Sequence, residues 1–318
     1  MSVDCLSAVT AQWICREGLL DAQGPVGASE ISIMIDATLV MMAIVIPTIV
    51  ATIAFAWWFR ASNPRARYLP NFTYSGRVEL VVWSIPVMVI LLLGGVSWIG
   101  SHELDPATPI KSSIAPLEVE VVSLDWKWLF VYPDLGIASV NELVVPSGTP
   151  VHFQLTSASV LSAFFVPQLG SMIYTMNGMT TQLNLLAARP GVFRGMSSHF
   201  NGDGFSGMHF TLSAVAAAQF AAWVAEAHQA GPVLNAASYE TLSQQSLNVS
   251  PFTFRAVEAG LFSDIVSQTL PPGPGPRSTR GTQANVARIG DCAVDCTQWG
   301  AGRIAGFSPR VGLQDAAR

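Results

Sequence analysis

Two long uncharged stretches near the N-terminus limit what this chain can fold into more than any other feature. The first covers residues 37–59, which are 23 residues, and the second covers residues 80–101, which are 22 residues. A bilayer core of about 30 Å needs about 20 helical residues, so each stretch is long enough to cross a membrane. Two buried helices of a soluble core are the alternative, but such helices are usually shorter. We therefore predict a transmembrane α-helical hairpin over residues 31–103.

The loop between the two stretches has a one-sided charge. Residues 60–77 contain four arginines and no acidic residue, whereas residues 1–30 contain one basic residue, Arg16. Short arginine-rich loops of membrane proteins face the cytoplasm. Both termini are then predicted to lie outside, which in a bacterium is the periplasm. The expected location is the bacterial inner membrane, crossed by two spans.

Charge is scarce over the chain as a whole. Only 12% of the residues are charged and the formal net charge is −5, compared with about 25% charged residues in a typical soluble domain. A nucleic acid is therefore not an expected partner. Residues 1–30 form a predicted N-terminal periplasmic segment without the basic start of a signal peptide. Within it, Cys15 is either a lipid-attachment site or a free thiol, and both interpretations stay open.

The pattern changes after residue 115 to short apolar runs separated by Gly and Pro turns. Such spacing is typical of an all-β sandwich, which we predict over 115–228, with a helix over 217–228. Residues 236–270 are aromatic-rich and predict short helices and a loop that pack on something larger. The segment 271–318 begins with PPGPGPRSTRGTQ, which predicts a disordered tail. The predicted fold class is thus a membrane hairpin plus a β-sandwich, α+β overall.

Five segments of the chain carry a resemblance to a known family. They are FAWWFRASNPRARYLPN, VELVVWSIPV, VEVVSLDWKWLFVYP, SVLSAFFVPQLGSMIYTMNGM and GFSGMHF. With the order of hairpin and sandwich, they resemble subunit II of haem–copper respiratory oxidases, most closely in the quinol-oxidising branch of bo-type ubiquinol oxidases. The resemblance covers about residues 15–270 and implies a cupredoxin-like fold for the sandwich.

One site separates the two branches of this family. In cytochrome c oxidases, subunit II holds a dinuclear copper centre with a histidine in one loop and a C-x-E-x-C-x3-H-x2-M pattern in another. The matching positions here, in that order, are Ser162, Ser197, His199, Asn201, Phe205 and Met208. Copper electron-transfer centres need thiolate and imidazole ligands, and a lone thioether does not replace them. The resemblance then implies no metal or other cofactor in this chain, with haems and copper held by the partner subunit I.

Two other sets of residues superficially suggest a metal site. Cys292 and Cys296 have the spacing of the two copper-binding cysteines, but no histidine or methionine lies near them in the predicted tail. A periplasmic disulfide or coincidence explains that spacing better. His199, Met208 and His209 suggest a mononuclear copper site, which would also need a cysteine thiolate. We favour a filled-in loop with surface polar residues instead.

The resemblance assigns further roles by position. Trp126 and Trp128 lie where cytochrome c oxidases place aromatics that receive electrons, so without copper we expect them, with Asp125, to contact the catalytic subunit. Glu79 stands in the V-E-x-x-x-W context that places a carboxylate at the mouth of a proton channel of subunit I. A carboxylate at that depth can collect protons, although an ordinary interfacial side chain is the alternative.

The predicted function is therefore that of a non-catalytic subunit II of a proton-pumping quinol oxidase. Electron transfer from quinol to oxygen would occur in subunit I, and this chain would stabilise the complex. The expected partners are subunit I, other oxidase subunits, membrane lipid, and ubiquinol through the complex. Two alternatives remain: a copper-containing cytochrome c oxidase subunit or tethered cupredoxin electron carrier, and a tethered sandwich used only for adhesion or assembly.

Overall fold

The N-terminal part of the molecule is a pair of long helices. The structure, a computed structural model, describes residues 20–275 except 68, 70 and 72. Helix α1 (Pro25–Trp58) has 34 residues and α2 (Gly76–Glu103) has 28, and both are long and apolar enough to cross a membrane. Gly27 and Gly100 are the only buried residues of these two helices. The predicted pair of apolar helices is confirmed, and nearly all of its apolar surface faces outward.

Two facing sheets follow the hairpin. Their strands are β1 (Leu117–Leu124), β2 (Lys127–Tyr132), β3 (Ile137–Val140), β4 (Glu142–Pro146), β5 (Val151–Ser157), β6 (Ser162–Val166), β7 (Gly170–Thr175), β8 (Thr181–Leu185), β9 (Gly191–Ser197) and β10 (His209–Val215). The larger sheet has the order β12-β3-β2-β1-β5-β8, in which β12 (Phe252–Phe254) comes from the C-terminal segment. The smaller sheet has the order β4-β10-β9-β6-β7. This arrangement confirms the predicted sandwich.

An aromatic cluster fills the space between the sheets. Trp128 has no exposed surface, and its ring centroid lies 5.5 Å from that of Phe164 and 5.7 Å from that of Phe210. Phe164 and Phe210 stack at 5.1 Å. Because side chains alternate between the faces of a strand, every second residue of β2 points into this core. Fully buried aromatic side chains of this size make the largest single contributions to the stability of a core.

The C-terminal segment covers the other face of the larger sheet. The helix that directly follows β10, α3 (Ala217–Ala227), packs on the first core instead. The covering segment contains β11 (Val233–Leu234), α4 (Ala236–Ser243), β12 (Phe252–Phe254), β13 (Ala256–Val257) and α5 (Leu261–Val266). Tyr239 and Phe262 from this segment pack with Leu129 and Val131 in a second core. All six residues of β2 are buried for this reason. The segment predicted to pack on something larger thus packs on the sandwich of its own chain.

A close backbone contact joins the hairpin to the sandwich. The Gly27 amide donates to the Leu169 carbonyl at 3.0 Å, and the Glu30 carboxylate accepts from the Ser171 amide at 2.9 Å and its hydroxyl at 2.8 Å. Gly170 has a φ of +107°, and a Cβ there would lie 2.6 Å from the Gly27 nitrogen. Only glycine fits such a conformation and approach. The turn between β6 and β7 is therefore held directly on the start of α1.

Several sequence predictions concern the ends of the chain. Cys15, the pair Cys292 and Cys296, and most of the predicted N-terminal segment and tail lie outside the described residues. They stay predictions.

Candidate functional site

Four of the six positions that match the copper ligands meet at one end of the sandwich. Ser162 begins β6, Ser197 ends β9, Asn201 lies in the following loop and Met208 directly precedes β10. Their exposed fractions are only 1%, 4%, 6% and 1%. The antiparallel pairing of β9 with both β6 and β10 brings the ends of these strands together.

Hydrogen bonds join three of these four side chains to one another. Asn201 Nδ2 lies 2.8 Å from Ser162 Oγ, to which it donates, and 3.0 Å from Met208 Sδ. The Ser197 hydroxyl donates to the His199 carbonyl at 3.0 Å. We call Ser162, Ser197, Asn201 and Met208 the polar plug. Because buried polar atoms are costly without partners, these bonds lower the cost of placing small polar side chains so deep in the domain. Asn201 Oδ1, in contrast, is buried without a hydrogen-bond partner among the described residues.

The other two positions point away from the polar plug. His199 is exposed, and its ring packs edge-on against Tyr174 at 5.8 Å. Phe205 is half-buried and packs against Phe200 at 5.6 Å. The structure therefore does not bring an imidazole to the site.

The donor atoms of the polar plug do not fit a dinuclear copper centre. They are two hydroxyls, one amide and one thioether, whereas copper electron-transfer centres use thiolate and imidazole. Across the described ranges, no three His, Cys, Asp or Glu side chains are grouped closely enough to hold a metal ion. We assign no electron-transfer step to this site.

The turn between β1 and β2 lies against the polar plug. Trp126 adopts a left-handed φ of +64°, and its Nε1 donates to the Asn201 carbonyl at 3.4 Å. The Asp125 carboxylate accepts from the Ser159 hydroxyl and, at 2.9 Å, from the Gly275 amide. The exposed fractions of Asp125 and Trp126 are 3% and 7%. Their predicted contact with another subunit remains a prediction that would use this small exposed edge.

Trp128 needs a correction. The sequence predicts that it contacts the catalytic subunit, but its exposed fraction is 0%. A side chain without exposed surface in the free chain has no surface with which to contact a partner subunit. Its place in the strand, covered on both faces, assigns it to the core instead.

Lys127, beside this turn, is a buried residue for which the sequence predicted no role. Lys127 Nζ donates to the Gln244 carbonyl at 2.7 Å and to Ser246 Oγ at 2.5 Å. Burial lowers the pKa of Lys127 to about 8, although the Asp125 carboxylate acts in the opposite direction. The sequence pattern that could have indicated this buried lysine is its position between two tryptophans at the start of an apolar run. Lys127 ties the turn to the segment that follows α4.

Glu79 lies at the opposite end of the molecule. It is exposed in the first turn of α2, and its amide donates to the Ser75 carbonyl at 3.0 Å. A carboxylate in the first turn of a helix is favoured by the helix dipole. Within the described residues its carboxylate has no hydrogen bond or ion pair. The side chain is therefore available to water or to a neighbouring subunit.

Comparison with known proteins agrees with this description. Residues 134–215 match the family described as cytochrome c oxidase subunit II, periplasmic domain. The chain is 45% identical over 270 residues to cytochrome bo(3) ubiquinol oxidase subunit 2 of Pseudomonas aeruginosa, covering 85% of this chain and 82% of that protein. It is 44% identical over 256 residues to ubiquinol oxidase subunit 2 of Acetobacter aceti, covering 80% and 83%.

A solved structure is also similar over the sandwich. The periplasmic domain of cytochrome oxidase subunit II (CoxB) of Bradyrhizobium japonicum is 28% identical, with a TM-score of 0.36, and covers 38% of this chain and 98% of that one. The family assignment rests on the two full-length relatives above, whose identity extends over hairpin and sandwich alike. The chain belongs to the family of bo-type ubiquinol oxidase subunit 2.

Proposed function

We propose that this chain is the non-catalytic subunit 2 of a proton-pumping quinol oxidase. It carries no redox cofactor of its own, and it stabilises a catalytic subunit I that binds the haems and copper and transfers electrons from quinol to oxygen. The hairpin anchors the chain in the bacterial inner membrane. The arginine-rich loop lies in the cytoplasm, and both termini and the sandwich lie in the periplasm.

The polar plug is the observation that carries this proposal. A subunit that passes electrons needs a redox centre, and here three of the four buried positions hold side chains that bond to one another. Asn201 spans the space between Ser162 and Met208. Since the site is closed by packing, the domain keeps the family fold while serving a structural purpose.

Metal and substrate analysis tests the proposal directly. The complex would be purified through this chain, and copper, haem, quinol oxidation and cytochrome c oxidation would be measured together. We expect haem-containing partner subunits, quinol as the electron donor, and no dinuclear copper signal from this chain. A dinuclear copper signal that disappears with Ser162, Ser197 or Asn201 variants, or oxidation of cytochrome c in place of quinol, would contradict it.

We further propose that Glu79 collects protons at the entrance of a channel in subunit I. Its support is its position: it lies in the first turn of α2, exposed, beside the arginine loop predicted to face the cytoplasm. A carboxylate at a membrane boundary, without a hydrogen-bond or ion-pair partner among the described residues, can exchange protons with water and transfer them to a neighbouring group.

A matched pair of variants separates this role from an interfacial one. Glu79→Gln is expected to slow proton uptake and oxygen reduction about tenfold or more, since a positioned proton-transfer group contributes about 10²–10⁴ in rate. Glu103→Gln, at the other end of the same exposed helix, should keep the rate. Stopped-flow proton uptake and oxygen consumption on assembled complexes are the measurements. Equal rates in both variants would make Glu79 only an interfacial side chain.

A further inference from the structure

The loop after α1 has a charged cavity that the proposed function does not use. The cavity measures about 650 Å³ and is lined by Arg60, Asn63 and Arg67, with Phe59 and Leu69 as its apolar walls. We propose that this cavity binds the headgroup of an acidic phospholipid. The proposal rests on the membrane-spanning hairpin of the proposed function, because it needs the loop to lie at the membrane surface.

The charge of the loop supports a phosphate ligand. The loop has four arginines, and no acidic residue occurs from 37 to 78. The single ion pair found among the described residues joins His152 to Glu118 in the sandwich, so none of the four arginines is neutralised there. Arginine presents five N–H donors in a planar fork that suits phosphate oxygens.

Arg60 is already held in a fixed position. Its guanidinium lies 4.7 Å from the centroid of the Trp57 ring, and it donates to the Trp57 carbonyl and to Ser62 Oγ, each at 3.1 Å. Asn63 Nδ2 donates to the Trp58 carbonyl at 2.6 Å. Two of the five donors of Arg60 are used, which leaves three for a ligand. Ordering before binding reduces the entropy that binding costs.

An apolar surface continues from the cavity along α1. A second depression of about 500 Å³ is lined by Ala51, Ala54, Phe55, Trp57, Trp58 and Phe59. Phe59 belongs to both, so a charged cavity and an apolar groove meet at this residue. A phospholipid has the same division into an anionic headgroup and apolar chains. Inorganic phosphate would occupy only the charged cavity and would not contact the apolar groove.

Lipid retention by the intact complex tests the proposal. The complex would be placed in nanodiscs of phosphatidylcholine with a minor fraction of phosphatidylglycerol that carries a photoreactive group on its acyl chain. We expect cross-links to residues 51–59, and about a thirtyfold loss of phosphatidylglycerol affinity in Arg60→Gln with Arg67→Gln, roughly fivefold for each arginine. The control is Arg189→Gln with Arg255→Gln, two exposed arginines of the folded domain, which should keep the affinity.

Three outcomes would overturn the lipid assignment. They are equal affinity in both double variants, cross-links from residues 51–59 to another oxidase subunit in place of lipid, and full displacement of phosphatidylglycerol by inorganic phosphate. Thiol labelling of Ser62→Cys from each side of the membrane, compared with the unsubstituted chain, reports separately on the topology. A loop that is labelled from the periplasmic side contradicts the proposed function, whatever the lipid result.

Discussion

The hairpin and the sandwich use large apolar side chains in opposite ways. Trp83 on α2 is 70% exposed, whereas Trp128 on β2 is 0% exposed. The sandwich packs both faces of its larger sheet against other parts of the same chain, the inner face against the smaller sheet and the outer face against the C-terminal segment. In the two helices of the hairpin only two glycines are buried, and all other side chains are at least partly exposed. Partners of this chain are therefore to be sought first along the hairpin.

The largest expected effect compares these two tryptophans. Trp128→Ala should destabilise the sandwich by about 3–5 kcal/mol, because it leaves a large cavity between Phe164 and Phe210. Trp83→Ala removes the same side chain from an exposed helix surface and should leave the unfolding of the sandwich unchanged. Denaturant unfolding of the full chain in detergent, followed by near-UV circular dichroism, measures both. Similar midpoints for the two variants would contradict the contrast between the regions.

The junction between the two regions gives the next largest effect. Gly170→Ala is expected to cost about 1–3 kcal/mol, since it forces a non-glycine residue into a left-handed conformation and places its Cβ against the Gly27 backbone. Gly136→Ala is the matched control, because Gly136 has a φ of +65° and open space around its Cβ. Limited proteolysis between hairpin and sandwich should be faster in Gly170→Ala only. Equal cleavage in the two variants would show that the destabilisation comes from backbone strain and not from the contact with the Gly27 backbone.

Local patterns predicted most of this fold. Uncharged stretches located both long helices, and alternating runs with turns located the sandwich, because these signals depend on neighbours in sequence. The predicted helix over 217–228 is α3, at Ala217–Ala227. The family pattern named six positions, of which four form the polar plug and two, His199 and Phe205, lie outside it. The expectation of surface residues was wrong for Met208, which is 1% exposed.

Contacts between distant parts of the chain could not be predicted in this way. Asp125 bonds to Gly275 and Lys127 bonds to Gln244, more than a hundred residues away in each case. The C-terminal segment buries the outer face of β2. Its composition did not predict with which strand, or in which register, it would pair. For the same reason Trp128 was expected at a surface, since nothing near it in sequence shows that both faces of its strand are covered.

A smaller effect tests whether the polar plug is held by its own hydrogen bonds. Asn201→Leu should cost about 1–2 kcal/mol, because it removes a partner from the buried Ser162 hydroxyl. Adding Ser162→Ala should recover about 1 kcal/mol of this loss, as expected for residues in contact. Thr241→Ala, on the exposed side of α4, is the control. Its change in the free energy of unfolding should simply add to that of Asn201→Leu. Urea unfolding of the three single and two double variants measures the coupling. Additivity in both pairs would mean that packing alone fills the site.

The smallest effect concerns pH and a half-buried carboxyl on β1, a strand inside the larger sheet, in contrast to the exposed carboxylate at the hairpin. Burial, and then the neighbouring Glu118, raise the pKa of Glu120 from 4.5 to about 7. Between these two pH values the folded chain keeps a proton that the unfolded chain has released, so stability falls as pH rises through this window. Solvent screening limits the effect to about 1 kcal/mol. Thermal unfolding between pH 4.5 and 7 should lose this slope in Glu120→Gln and keep it in Gln154→Ala, a variant of the facing residue on β5. A slope that survives in Glu120→Gln would assign it to another group, of which His152, 4.0 Å from Glu118, is the nearest to examine.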